Sequence, residues 1–365
     1  MEHPSKRRML LAAMAACCGN LRIANGAVPV PDGAKADPSR TLRFPRDHGS
    51  HPDFRIEWWY ATGWLRDRDM REIGFQVTFF RAKPQLKSGN PSAFNPQHII
   101  IAHAAVADPR QGQLIHTQRA ARAVLDMAGA SPDDTDVWLD DWRLTRRDGA
   151  YRTRIASGEL ALDLSLTPTQ PVLLQGVNGY SRKGPDPDAA SHYYSIPHLQ
   201  VSGTLRGSGA AQAVSGKAWL DHEWSSSYLP ENAAGWDWMG INFDDGSALM
   251  AFRMRSRGKA PPLWSAAALR DRAGRTRHFG PGAVHFSELR SWQSPRTGIV
   301  YTVAFKVTVG SLEFVLEPLL DDQENDTRRT TGAVYWEGAV RASGSGTGQG
   351  LGYLELTGYG QPLVL

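Results

Sequence analysis

The chain has 365 residues, a formal net charge of +4, 12 Trp, 12 Phe, 36 Gly and 23 Pro. That length suits two domains, the aromatic content suits real cores, and the Gly and Pro content suits many turns rather than a helical bundle. The charge argues against nucleic acid as a partner, because beyond residue 26 the chain keeps 37 basic against 36 acidic residues and no basic stripe.

The N-terminus reads as an export segment. Lys6, Arg7 and Arg8 precede a short apolar stretch from Met9 to Cys18, and Ala24 and Gly26 permit cleavage before Ala27. Periplasmic or secreted location is expected, with a lipid anchor through Cys17 as the alternative. Cleavage at Gly26 removes Cys17 and Cys18, and with them disulfides, thiol nucleophiles and thiolate metal ligands. Residues 27–44 are rich in Pro, Asp and Ala without an apolar period, and read as a linker.

Alternation of period two then dominates. Phe75, Val77 and Phe79 form one such run, Leu160 to Leu166 a second, and Tyr301 to Val309 a third. Each predicts a half-buried strand. The best helix candidate spans Arg119 to Met127. Short strands at this density predict an all-β protein of antiparallel sandwiches or barrels.

Five segments recur in order. Trp59–Gly63 resembles Trp236–Gly240, and Phe79–Arg81 resembles Ala251–Arg253. Ala104–Asp108 resembles Ala267–Asp271, and Leu164–Pro168 resembles Phe314–Pro318. The strand–turn–strand from Gly203 to Trp219 resembles Gly338 to Tyr353. An internal duplication follows. The expected division is an export segment at 1–26, a linker at 27–44, and barrel-like domains at 45–230 and 231–365. A pocket can lie inside one barrel or where the two meet.

Chemistry concentrates in three motifs. In Trp219-Leu220-Asp221-His222-Glu223-Trp224, alternation puts Asp221 and Glu223 on one face and His222 and Trp224 on the other. Two desolvated carboxylates repel, so one keeps its proton and can serve as a general acid. The matching positions of the second copy are Glu355 and Thr357, so the paired acids are expected only in the first. In Glu57-Trp58-Trp59-Tyr60, Glu57 and Trp59 share one face and Trp58 and Tyr60 the other. Trp236-Asp237-Trp238 offers a further acid between two indoles. The bland readings are a barrel-closing strand, core packing and an exposed Asp. His103 interrupts an apolar strand, Tyr193 follows His192, and Arg182 and Lys183 sit together in a Gly-rich loop that suits an anion or a solvated turn. The chain has no HExxH motif, no Walker loop and no Gly-x-Ser-x-Gly elbow. The candidate catalytic residues are therefore Asp221, His222, Glu223 and Asp237. The candidate substrate-binding residues are Glu57, Trp59, Tyr60, His103, Arg182, Tyr193, Trp224, Trp236 and Trp238. No metal and no cofactor are expected.

Glu57-Trp58-Trp59-Tyr60, Gly176 through Gly184, Asp221-His222-Glu223-Trp224 and Trp236-Asp237-Trp238 together resemble the AttH-like family of secreted hydrolases, related to carotenoid 1,2-hydratase (hydroxyneurosporene synthase). The resemblance runs from about Phe44 to Tyr359. It implies two tandem lipocalin-like antiparallel β-barrels and cofactor-independent, acid–aromatic hydratase or hydrolase chemistry on an apolar isoprenoid or lipid. The expected partner is an apolar small molecule, on a monomeric protein. The alternatives are a non-catalytic periplasmic lipid carrier and an accessory component of a membrane transporter.

Overall fold

The computed structural model of the chain describes residues 33–84, 96–207, 209–258, 260–345 and 348–362. The export segment with Cys17, and the linker as far as residue 32, lie outside the described residues. What is described belongs to one unit, Asp32–Leu365.

The first sheet contains thirteen strands. In chain order they are β1 (Ile56–Asp67), β2 (Glu72–Ala82), β3 (Ile99–Ala107), β4 (Leu114–Arg122), β5 (Ala128–Ala130), β6 (Asp136–Leu139), β7 (Trp142–Arg147), β8 (Ala150–Ala156), β9 (Ala161–Pro168), β10 (Leu173–Leu174), β11 (Tyr180–Arg182), β12 (Ala190–Arg206) and β13 (Gln212–Ser227). The second sheet contains β14 (Ala233–Phe243), β15 (Ala248–Ser256), β16 (Trp264–Arg270), β17 (Thr276–Phe279), β18 (Val284–Gln293), β19 (Val300–Val309), β20 (Leu312–Pro318), β21 (Glu324–Asp326), β22 (Val334–Ser345) and β23 (Gly348–Leu356). Every pairing between these strands is antiparallel. The first sheet curls until β3 and β4 face β5 and β6, a nearly closed barrel; the second is a half-barrel in which β15 and β16 face β18.

The duplication is explicit in the strand order. The first sheet runs β4-β3-β2-β1-β13-β12-β9-β8-β7-β6-β5 and the second runs β17-β16-β15-β14-β23-β22-β20-β19-β18, so the second repeats the first as far as β7. All five recurring segments fall on corresponding strands. The ladder corrects their register, however. Trp58 lies opposite Phe80 and Glu223, and Trp238 lies opposite Phe252 and Glu355. Trp58 therefore corresponds to Trp238, Glu57 to Asp237, and Glu223 to Glu355 rather than to Thr357. Matching Trp with Trp misplaced the first strand by three residues, because indoles occupy both faces.

Arg119 to Met127 is not a helix. Its first four residues end β4, paired with β3 from Leu114 to Arg122, and a turn follows. The edge of β3 offers unpaired backbone groups, and satisfying them outweighs local helix propensity.

Three apolar layers result. One fills the first barrel around Trp59, Phe75, Leu164 and Trp224. Another fills the second around Phe305, Leu316 and Trp336. The third joins the halves through Tyr60, Trp64, Tyr193, Trp219, Trp238, Phe252 and Tyr353. Strands β1, β13 and β14 are consequently buried on both faces over most of their length, which hides the usual one-sided alternation. Polar contacts fix the junction: Trp64 Nε1 donates to Gly352 O at 2.9 Å, and Asn242 Nδ2 donates to Ala218 O at 3.0 Å.

Candidate active site between the barrels

A pocket lies at this junction, with about 700 Å³ of space between atoms, its mouth included. Strand β1 supplies Trp58 and Tyr60, β12 Tyr193, and β13 Asp221 and Glu223. From the second half come Trp236 and Trp238 on β14, Phe252 on β15, Tyr335 and Glu337 on β22, and Glu355 on β23. Lys183, just after β11, is the one basic residue in the lining. An aromatic wall with a few converging polar groups suits a largely apolar ligand.

The four carboxyls differ in their surroundings. Asp221 accepts from Tyr193 Oη at 2.8 Å, Trp219 Nε1 at 2.7 Å and Ser195 Oγ. Trp238 Nε1 in turn donates to Tyr193 Oη at 3.0 Å. Burial pushes the Asp221 carboxyl up to about 7, against the pull of these donors. Glu223 accepts from Ser191 and pairs with Lys183 Nζ at 2.7 Å. Lys183 also lies 4.5 Å from the Phe252 ring centre.

The other two acids face each other across the β22–β23 ladder, where Glu337 is paired in register with Glu355. Glu355 accepts one hydrogen bond, from Trp236 Nε1 at 2.9 Å. Burial raises its proton affinity, and the charge of Glu223 adds to this. Glu337 is 2% exposed, and its Oε1 has no hydrogen-bond partner. Burial, followed by the charge of Glu355, holds Glu337 well above the usual carboxyl range; Tyr60 and Tyr335 oppose this only in part. A neutral carboxylic acid with an unengaged oxygen beside aromatic faces is suited to proton donation.

The expected site residues divide between the two faces of the sheets. Asp221, Glu223, Tyr60, Tyr193, Trp236 and Trp238 meet in the pocket. Glu57, Trp59, His222 and Trp224 point the other way, into the first barrel. There Glu57 accepts from His51 Nδ1 at 2.7 Å, His222 Nε2 at 2.9 Å and Arg81 Nε at 2.8 Å. His51 Nε2 meets Asp47 at 3.0 Å, and Trp224 stacks on the His51 ring at 3.6 Å. Burial alone would raise the Glu57 carboxyl, but hydrogen bonds from His222 and His51, with the charge of Arg81, hold it well below its usual range.

His51, Glu57 and His222 also present ligand-type atoms within 4.8 Å of one another, the one such group among the described residues. Their lone pairs and protons are already engaged with each other and with Arg81, as in a charge-balanced structural network.

Asp237 is the counterpart of Glu57. It sits inside the second barrel, bound by Arg253 Nε at 2.5 Å and Arg255 Nε at 3.1 Å, away from the pocket. Arg182 stacks on Trp264 at 4.5 Å, and its neighbour Lys183 enters the pocket instead. His103 lies behind the lining, 3.1 Å from Tyr335 Oη.

Sequence reasoning missed Glu337, Glu355, Tyr335 and Lys183 as site residues. Alternation in Tyr335-Trp336-Glu337 carries a signal: it sets Tyr335 and Glu337 on one face, as it sets Trp58 and Tyr60.

Two lipocalin-like barrels with an acid-lined aromatic pocket at their junction define the class of this protein. Its sequence matches the AttH-like family over residues 35–359, and the chain belongs to that family. An AttH from Nitrosomonas europaea is 52% identical, covering 89% of this chain and 99% of that one, with a TM-score of 0.84. Kievitone hydratase from Nectria haematococca shares the fold at 13% identity, covering 90% of this chain and 98% of that one, with a TM-score of 0.68. CghA shares it at 13% identity, covering 90% and 97%, with a TM-score of 0.52. No curated protein matches the chain.

Proposed function

We propose that the chain is a cofactor-independent hydratase- or hydrolase-like enzyme for an apolar, isoprenoid- or lipid-like small molecule bound between the barrels. The observation that carries this reading is Glu337, a buried acid with a free oxygen, set beside a second acid in an aromatic pocket. Glu337 donates a proton to an alkene carbon or a leaving group. The faces of Trp58, Trp236 and Trp238 stabilise the positive charge that develops. Glu355 then takes a proton from the water that attacks. Lys183 and Glu223, already paired, hold a polar end of the substrate, and Asp221 orients Tyr193 and Trp238. This moves the acid from the Asp221–Glu223 pair of the first half to the Glu337–Glu355 pair of the second, because the first two are already engaged by donors and by Lys183. Hydration is also the reaction for which one protein of this fold is named. Export to the periplasm fits an enzyme with no need of a soluble cofactor.

The test is incubation of the purified protein with an apolar extract of its host in water enriched in heavy oxygen. Mass spectrometry of bound and free lipids should find a labelled product that forms only with active protein. A lipid that co-purifies unchanged, with no labelled product, would replace the enzyme by a carrier.

A further inference from the structure

We propose that the acids of the second half form a site for an organic ammonium: the pocket takes a hydrophobic amine as its cation, held by Glu337 and Glu355 against the face of Phe80. The inference rests on the reading of this pocket as the ligand site and names a ligand class for it. An ammonium at these acids stands where protonation of an alkene would create positive charge.

The chain itself shows how this pocket holds an ammonium. Lys183 Nζ lies 2.7 Å from Glu223 and over two rings, 4.9 Å from the centre of Tyr193 and 4.5 Å from that of Phe252. Glu223 and Tyr193 belong to the first half and Phe252 to the second. A carboxylate and aromatic faces are what a desolvated ammonium requires.

The duplication sets out the same place in the second half. The copies meet in an exchanged fashion, β1 against β23 and β14 against β13. Tyr193 is paired in register with Glu223, and Glu337 with Glu355. Phe252 lies opposite Trp238, and Phe80 opposite the equivalent Trp58. The counterparts of Glu223, Tyr193 and Phe252 are thus Glu355, Glu337 and Phe80, and all three line the pocket. The lysine has no such counterpart. Arg182 is in register with Ala190, and Asp326 with Val334, each three residues before the matched Tyr193 and Glu337. Directly after them, Lys183 N donates to Ala189 O at 2.7 Å and Thr327 N donates to Ala333 O at 3.0 Å. The residue that answers to Lys183 is therefore Thr327, which carries no charge. Each half brings two acids to the pocket, and only the first brings a cation. Glu337 Oε1 is buried without a hydrogen-bond partner in that same lining, which is the position of an acceptor for a ligand N–H.

The protons balance simply. At about pH 6 both acids of the ligand-free pair hold protons, because burial and each other's charge oppose ionisation. An ammonium brought against them offsets that cost. One carboxyl ionises, its proton leaves through the mouth to the buffer, and the amine keeps its own. Affinity for the amine should therefore rise with pH for as long as a proton is released. The groups facing the pair are Tyr353 from β23, Tyr60 from β1, Tyr335 from β22 and Glu223 from β13.

The test is calorimetric titration of the full chain with N,N-dimethyloctylamine, octanol and octanoate, in buffers of different ionisation enthalpy at about pH 6. The amine should bind at least ~10-fold more tightly than either of the others and release about one proton, and octanol should release none. Glu337→Gln/Glu355→Gln keeps the shapes and should abolish both the preference and the release. Thr327→Lys supplies from the chain the cation that the first half already has, and should weaken the amine at least ~10-fold while leaving octanol unchanged. An amine bound no better than octanol overturns the proposal, as does a preference that survives in whichever of these variants folds by circular dichroism. Labelled product without amine preference discards the ammonium site and keeps the enzyme. Amine preference without labelled product keeps the site and discards the enzyme.

Discussion

Glu355 and Glu337 show how position sets the chemistry of a residue. Neither is unusual in sequence, yet the fold raises the proton affinity of both, because an apolar wall replaces water and each charge would face the other. This has a consequence for stability. The unfolded Glu355 carboxyl ionises near 4.5 whereas the folded one ionises only at about 7, so the unfolded state is increasingly favoured as pH rises from the first value to the second. Glu355→Gln removes this contribution and keeps an acceptor for Trp236. Its thermal midpoint, relative to the parent, should climb between pH 5 and pH 8. A difference that stays constant across that range would mean that Glu355 ionises normally.

At the scale of elements, the strand at the head of each half carries an acid that pins a strand-end arginine: Glu57 with Arg81, and Asp237 with Arg253. The sequence made both acids look chemical, since each stands among indoles. The ladder turns them inward, where they hold β1 to β2 and β14 to β15. Glu57→Gln leaves Arg81 buried without its counter-charge and should cost about 3–5 kcal/mol in urea unfolding; a cost below ~1 kcal/mol would show the network to be dispensable. The same network is sensitive to acid. Burial lowers His48 to about 3 and His222 to about 4, from an ordinary 6.5. The unfolded chain therefore binds protons that the folded one refuses as pH falls below 6.5, and the contribution of these two rings to stability declines from there towards pH 3–4. Unfolding free energies of the parent and of His48→Asn that run parallel over this interval would contradict the burial of the His48 ring.

At this scale the sequence was legible wherever one face of a strand meets a core. The runs at Phe75–Phe79 and Tyr301–Val309 are strands for that reason. Alternation also separated Asp221 and Glu223 from His222 correctly, because pleating is a property of the backbone itself. It did not say which face meets the ligand, since both faces of β1 and β13 are buried. Register between the copies was unreadable from the indoles alone, and so Glu337 was missed. The strand at Leu114–Arg122 was hidden because only its partner β3 makes it a strand.

For the whole molecule, the decisive feature is the junction. Each barrel interior is filled with side chains, and the aromatic, acid-lined pocket lies where the halves meet. Close packing holds them in place. A Cβ on Gly74 of β2 would come within 2.7 Å of Ala339 Cβ and 2.8 Å of Tyr353 Oη, both in the other half. Gly74→Val should therefore pry the halves apart at a cost of about 1–3 kcal/mol. Tryptophan emission should shift to longer wavelength as Trp58, Trp236 and Trp238 gain water. Unchanged emission and stability would place the rigid contact elsewhere.

The most direct test of the account is turnover of the labelled product by Glu337→Gln, measured beside the parent and beside Asp221→Asn. Glutamine keeps the shape of Glu337 but holds no transferable proton, so a loss of at least ~100-fold is expected with the fold intact by circular dichroism. Asp221→Asn, which disturbs the hold on Tyr193, Ser195 and Trp219, should lose less. Turnover by Glu337→Gln at the parental rate would contradict the central claim that this buried acid, set between the barrels, supplies the proton.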